Sequence, residues 1–246
     1  NEATKAAYTE TLSPTFTIQY YSNSGLTTSL GDNPKLKAGT YYIKITPNEA
    51  LSGTPTISIN AEGTANDVSN AAVSLVSGNY RYTRIITSDA AALGTTLEDI
   101  SITGTDTAAN TSTNVNPTNE ATKAAYTDTL SPSVVLSTPE NPTNDSPFTI
   151  TAQFSKPVTG VTIDDFAVTG GTKSNFAAVD ADTYTVAITP TTGSITINMA
   201  SNTSSDLAGN GNIAATQLAV TFDNTVPTVT LTTPLNPTPR LTFTIT

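Results

Sequence analysis

The chain has no cysteine, no histidine and no tryptophan, and one methionine in 246 residues. Without cysteine there is no disulfide, and the Cys–Trp–Cys core of antibody domains is excluded with it. Without histidine or cysteine there is no Ser-His-Asp or Cys-His triad, and no thiolate or imidazole zinc site. Charge is scarce as well: 12% of residues are charged, 20 acidic against 10 basic, for a net charge of -10. That sign argues against nucleic acid or an anionic membrane surface as a partner. No apolar run approaches the roughly 20 residues of a transmembrane helix. The sequence opens without an initiator Met or a signal peptide, which is expected of a mature chain or an excerpt.

What is abundant is threonine and serine, 51 and 22 residues. Threonine, valine, isoleucine and tyrosine favour strands, because β-branched and aromatic side chains pack well on a pleated surface. The 15 Pro and 14 Gly punctuate short alternating runs, as turns do. No amphipathic helix stands out, and the Ala-rich piece at 89–93 is too short to stand alone.

Internal repeats organise the chain. Residues 1–14 read NEATKAAYTETLSP and residues 119–132 read NEATKAAYTDTLSP, an offset of 118. Residues 132–151 (PSVVLSTPENPTNDSPFTIT) return at 227–246 (PTVTLTTPLNPTPRLTFTIT), an offset of 95. A junction of one acid followed four residues later by proline therefore occurs three times, at Glu10, Asp128 and Asp223. The modules follow: 1–12 as the last strand of a preceding module, 13–130 as module one, 131–226 as module two, and 227–246 as the first strands of a following module. Such a chain is expected of a window onto a longer array, or of a strand-exchanging subunit.

Strands are expected at 15–21, 40–46, 56–60, 72–76, 80–87, 100–105 and 121–127 in module one. In module two they are expected at 133–137, 148–154, 166–169, 184–189, 194–199 and 217–222. Alternation is clearest in 41–46 and 184–189. About seven short strands per hundred residues, with frequent turns, predict an all-β fold of tandem β-sandwich modules.

Module two resembles the bacterial immunoglobulin-like repeats of large secreted surface proteins. The resemblance rests on FSKPVTG (154–160), IDDF (163–166), VTGG (168–171), YTVAITP (184–190), DLAGN (206–210) and FDNTVP (222–227). Module one is similar through AGTYYIKITP (38–47), LSGTPT (51–56) and GTDTAAN (104–110), and departs at Ala109, where glycine is commoner. The resemblance implies immunoglobulin-like sandwiches in a rod-like extender of an adhesin or other surface protein. It also implies an extracellular location and, in some relatives, calcium at module junctions.

The repeated acids give the best chemical signal. In a seven-strand sandwich the Asp-x-Ala-[Ala/Gly]-Asn loop precedes the last strand, so it lies at the N-terminal end of its module, near the preceding linker. This pairs Glu10 with Asp106 and Asn110, and Asp128 with Asp206 and Asn210. Asp223 would pair with a further module. Calcium takes six to eight hard oxygens, which Asp, Asn and turn carbonyls supply. The plainer alternative is that Asp and Asn in hairpin loops bond their own backbone.

Other candidates are weaker. Asp164 and Asp165 point to opposite faces if on a strand, and one of them capping a turn is the better reading. Asp180 and Asp182 sit before a strand, where a solvated turn outweighs an acid/base pair. Lys156 is expected on an exposed strand edge, discouraging aggregation. Of Tyr41 and Tyr42, one is expected in the core and one outside. Scattered Thr-x-Thr pairs fit an outward polar face better than an ice-binding ladder.

No nucleophile–base pair, cofactor loop or cleft signature is present, so no enzyme is expected. The leading expectation is a structural segment, with neighbouring modules or identical subunits as partners. One alternative is a self-assembling fibre subunit joined by exchange of 1–12 and 227–246. The other is a carbohydrate-binding module, which would need an exposed aromatic platform.

Overall fold

The computed structural model describes residues 9–112, 117 and 119–232. Ten strands form the first half: β1 Phe16–Tyr21, β2 Lys35–Leu36, β3 Gly39–Pro47, β4 Thr56–Asn60, β5 Val68–Ala72, β6 Ser74–Val76, β7 Asn79–Ile86, β8 Leu93–Leu97, β9 Asp99–Thr103 and β10 Tyr126–Asp128. A four-residue helix, α1 Glu120–Lys123, precedes β10. The second half holds β11 Val134–Ser137, β12 Phe148–Phe154, β13 Phe166–Thr169, β14 Gly171–Ala178, β15 Thr183–Pro190, β16 Ser194–Met199 and β17 Leu218–Thr221. The fold is all-β, as the residue bias and alternation imply.

Each half is a sandwich with its own core. In the first, the sheet β1-β3-β7-β6 faces β5-β4-β9, and a small third sheet, β2-β10-β8, adds Leu36 to the same core. In the second, β11-β12-β15-β14 faces β13-β16-β17. Period-two burial drives both. Along β4 and β9 the isoleucines Ile57, Ile59, Ile100 and Ile102 point inward between exposed or half-buried polar residues. Along β12, Phe148, Ile150, Ala152 and Phe154 do the same. Each isoleucine or phenylalanine so removed from water contributes roughly 1.5–3 kcal/mol. The two clusters of buried residues share no member.

Strands expected at 56–60, 148–154, 166–169 and 194–199 have those bounds. The expected strand at 72–76 is two short strands, β5 and β6, which belong to different sheets. At 121–127 the chain is α1 followed by β10, because Glu, Ala and Lys favour a helical turn. Just before it, the Asn119 side chain bonds both the N–H and the C=O of Ile18, at 2.9 and 2.8 Å. The amide thereby stands in for a neighbouring strand on the edge of β1. Strands β2, β8 and β14 lie outside the expected ranges. Residues 9–12 and 227–232 carry no strand, and the rest of the strands expected at 1–12 and 227–246 lies outside the described residues.

The first core holds an ionic network. Arg84 on β7 points inward and is 1% exposed, while its neighbour Ile85 is 62% exposed. Its guanidinium bonds Glu98 at 2.6 Å and the Asn66 carbonyl at 2.6 Å. Thr127 on β10 donates to Glu98 at 2.8 Å, and the Tyr20 hydroxyl of β1 donates to its other oxygen. Burial, and then the Glu98 charge, push the Tyr20 phenol well above its ordinary pKa. Tyr41 and Tyr42, expected to divide between core and surface, are both half-buried: Tyr41 against the core, Tyr42 beneath Arg81.

Candidate functional site

The Asp-x-Ala-[Ala/Gly]-Asn loops are built alike. Asp106 Oδ1 accepts the N–H groups of Ala108 and Asn110, both at 2.8 Å, and Oδ2 accepts the Asn110 side-chain amide at 2.9 Å. Asp206 repeats this with Ala208, Asn210 and the Asn210 side chain, at 2.9, 2.9 and 3.0 Å. The turn requires a left-handed residue at its fourth position. Gly209 takes that conformation freely at φ 84°, whereas Ala109 is held there at φ 69°. The departure noted at Ala109 thus costs backbone strain and leaves the loop intact. Ala109→Gly is expected to stabilise the first module by about 1 kcal/mol, and Gly209→Ala to destabilise the second by a similar amount. Calorimetry of the two variants checks both signs.

Each loop reaches back to the acid before its module. The Asn110 side chain donates to the Glu10 backbone carbonyl at 3.2 Å, and the Asn210 side chain donates to the Asp128 carbonyl at 2.9 Å. The structure therefore brings Glu10, Asp106 and Asn110 together, and likewise Asp128, Asp206 and Asn210. Asp223 is exposed, and its carboxylate accepts the Thr225 N–H at 2.9 Å. Glu10 and Asp128 make the same local bond, to the N–H groups of Leu12 and Leu130. The three repeated acids share a turn-forming role.

At the second junction a further side chain enters. Lys156 Nζ lies 2.8 Å from Asp128 Oδ1, 3.1 Å from Asp206 Oδ2 and 2.8 Å from the Leu130 carbonyl. Its side chain is 16% exposed, and those of Asp128 and Asp206 are 5% and 3%. The exposed strand edge expected for Lys156 is thus corrected: two carboxylates draw it into the joint. Lys37 of the first sandwich also crosses, donating to the Gly209 carbonyl at 2.9 Å. A recess of about 200 Å³ opens beside Lys156 and Asp128.

These donors do not suit calcium as they stand. Among the described residues no three acidic side chains converge on a point where a metal could sit. Asp106 spends both oxygens on its own loop, Glu10 offers Asn110 a backbone carbonyl, and the Asp128–Asp206 pair already holds an ammonium.

The remaining acids play local parts. Asp165 caps the turn at Ile163–Asp165 by accepting from Thr162, and Asp164 is exposed 3.8 Å from Lys173. Asp180 accepts the Asp182 N–H at 3.0 Å in a tight turn.

Burial alone would raise the pKa of Asp206, but the Asn210 side chain, the Asn210 N–H and Lys156 outweigh it and hold it below the ordinary carboxylate value. Asp106 is lowered too, through Asn110, Ala108 and Ala109 against the opposing effect of burial. A depressed folded-state pKa contributes stability that is present above the unfolded value and lost as pH falls through the folded one. Melting temperatures of both sandwiches are therefore expected to hold steady at neutral pH and to fall below about pH 4. Asp206→Asn is expected to flatten the acid limb of the second sandwich, as a series of melts down to about pH 2 would show.

The two β-sandwiches carry matching Asp-x-Ala-[Ala/Gly]-Asn loops, and the fold class is immunoglobulin-like. Residues 128–222, the second module, match the family model of a bacterial Ig-like domain. Among solved structures, the Escherichia coli adhesin FdeC is similar over 93% of this chain and 70% of that chain, at 14% identity and a TM-score of 0.39. No curated protein matches the chain.

Proposed function

We propose that this chain is a structural segment of an extracellular stalk or extender, in which Ig-like sandwiches are joined end to end by ordered junctions. One observation carries the reading: the same bond, from the loop asparagine to the carbonyl of the preceding acid, occurs at both junctions. A joint that repeats with the module lets an array grow by one rule, each unit contacting mainly its neighbours. The second link is short, since five residues (129–133) separate β10 from β11. The polar threonine and serine content and the net charge of -10 suit a long soluble rod. Calcium stiffening forms no part of the proposal for these junctions, because their oxygens are engaged elsewhere.

Small-angle scattering tests the reading. The wild type is expected to fit a single arrangement of its two sandwiches. Asn210→Ala combined with Lys156→Ala is expected to give a broadened distribution of sizes with both sandwiches still folded. An equally broad distribution for the wild type would sink the proposal.

A further inference from the structure

The Asp128–Asp206 contact has the form of a cation site with a side chain in it. Two nearly buried carboxylates and one backbone carbonyl converge on a single nitrogen, within 2.8–3.1 Å. Like charges this close and this shielded repel strongly unless a positive charge lies between them. Asp128 ends the first sandwich and Asp206 belongs to the second, so the ammonium between them bridges the joint. Gly94 keeps the site narrow. Its φ is +69°, and a Cβ there would meet Asp128 Cβ at 2.6 Å.

The first junction provides the contrast. The Ser52 N–H bonds the Thr105 carbonyl and the Thr159 N–H bonds the Ser205 carbonyl, both at 2.8 Å. These bonds place Ser52 and Thr159 at equivalent points beside the two aspartate loops. Three residues before them stand Glu49 and Lys156. The position that supplies an ammonium at the second junction carries an acid at the first. The charge that closes the joint is thus a property of one module and not of the repeat.

We infer that Lys156 is a built-in cation. It fills the place a divalent ion would take, and it makes the second junction rigid without calcium. The inference rests on the contact being an ordered joint, as proposed above, and goes beyond it by naming what holds the joint and what is not needed. Removing the ammonium while keeping the stem, as in Lys156→Met, leaves the two carboxylates facing each other without a counter-charge. Lys156→Arg keeps the charge and changes the shape.

The test measures the order of the junction by residual dipolar couplings, and the thermal midpoint, in EDTA and in millimolar calcium. In the wild type, neither the relative orientation of the sandwiches nor the ammonium resonance of Lys156 is expected to respond to calcium. Lys156→Met is expected to lose the fixed orientation in EDTA and to recover it in calcium, with a midpoint shift on the order of 10 °C. Lys156→Arg is expected to stay ordered in EDTA. A wild-type orientation at this junction that changes on adding calcium overturns the inference. So does a Lys156→Met protein that keeps its orientation in EDTA. A wild type with no fixed orientation in either condition sinks the ordered joint itself, which separates the two failures. Should Lys156→Met fail to fold, the ammonium resonance decides: its loss on adding calcium would mean displacement of the lysine.

Discussion

Replacing Glu98 by alanine is expected to destabilise the first sandwich by about 3–5 kcal/mol. Calorimetry would register this as a fall of roughly 15–25 °C in that sandwich's melting temperature. Glu98 is fully buried and accepts from Arg84, Thr127 and Tyr20, which come from three different strands. Its removal strands the Arg84 guanidinium in the core, where an uncompensated charge costs far more than a lost surface pair. Arg84 has little other support, since its Nε finds no partner and only the Asn66 carbonyl remains. Removing both charges, as in Arg84→Met with Glu98→Leu, is expected to recover much of the loss, because well-packed apolar side chains replace a buried ion pair at little cost. A Glu98→Ala penalty below about 1 kcal/mol would mean that the pair behaves as if solvated, and would overturn this account.

What the sequence made legible follows the period of side-chain burial. Strands β4, β12 and β16 are legible to the residue because their apolar positions alternate cleanly between turns. The Arg84 strand reads less easily. The run RYTRII places an arginine inward and Ile85 outward, the reverse of what hydropathy suggests. Only the distant Glu98, Tyr20 and Thr127 make that arrangement stable, and no local window contains them. Strand β14 lies at a sheet edge and buries little, so its residues show no strong alternation. At the junctions, the repeats and the order of strands in a sandwich pair Glu10 with Asn110 and Asp128 with Asn210, which are in contact. They do not show that Lys156 stands between Asp128 and Asp206. The residue appears in only one module, and a lone lysine after a core phenylalanine gives no sign of where its long stem will reach.

The two sandwiches fill one architecture by different chemistry, and Phe166→Ala exposes the difference. Where the first core uses an ion pair, the second uses rings. Phe166 packs edge-on to Phe176 at 6.2 Å, Phe176 stacks on Tyr184 at 6.1 Å, and Tyr184 meets Phe154 at right angles at 5.8 Å. Phe166 is fully buried and begins β13, opposite Met199 on β16, so its ring spans the gap between the two sheets. Truncation to alanine removes that apolar area and leaves a cavity that paired strands cannot close, which costs about 3–5 kcal/mol. Phe166→Leu, which refills most of the volume, is expected to cost about half as much. Only the melting transition of the second sandwich should move, as only that of the first should move in Glu98→Ala. In an array whose units are stabilised locally, damage to one core leaves its neighbour standing, and the joint transmits orientation without transmitting unfolding. If both transitions fall together in Phe166→Ala, the contact through Asp128, Lys156 and Asp206 couples the two cores. The modules would then share their stability instead of holding it separately.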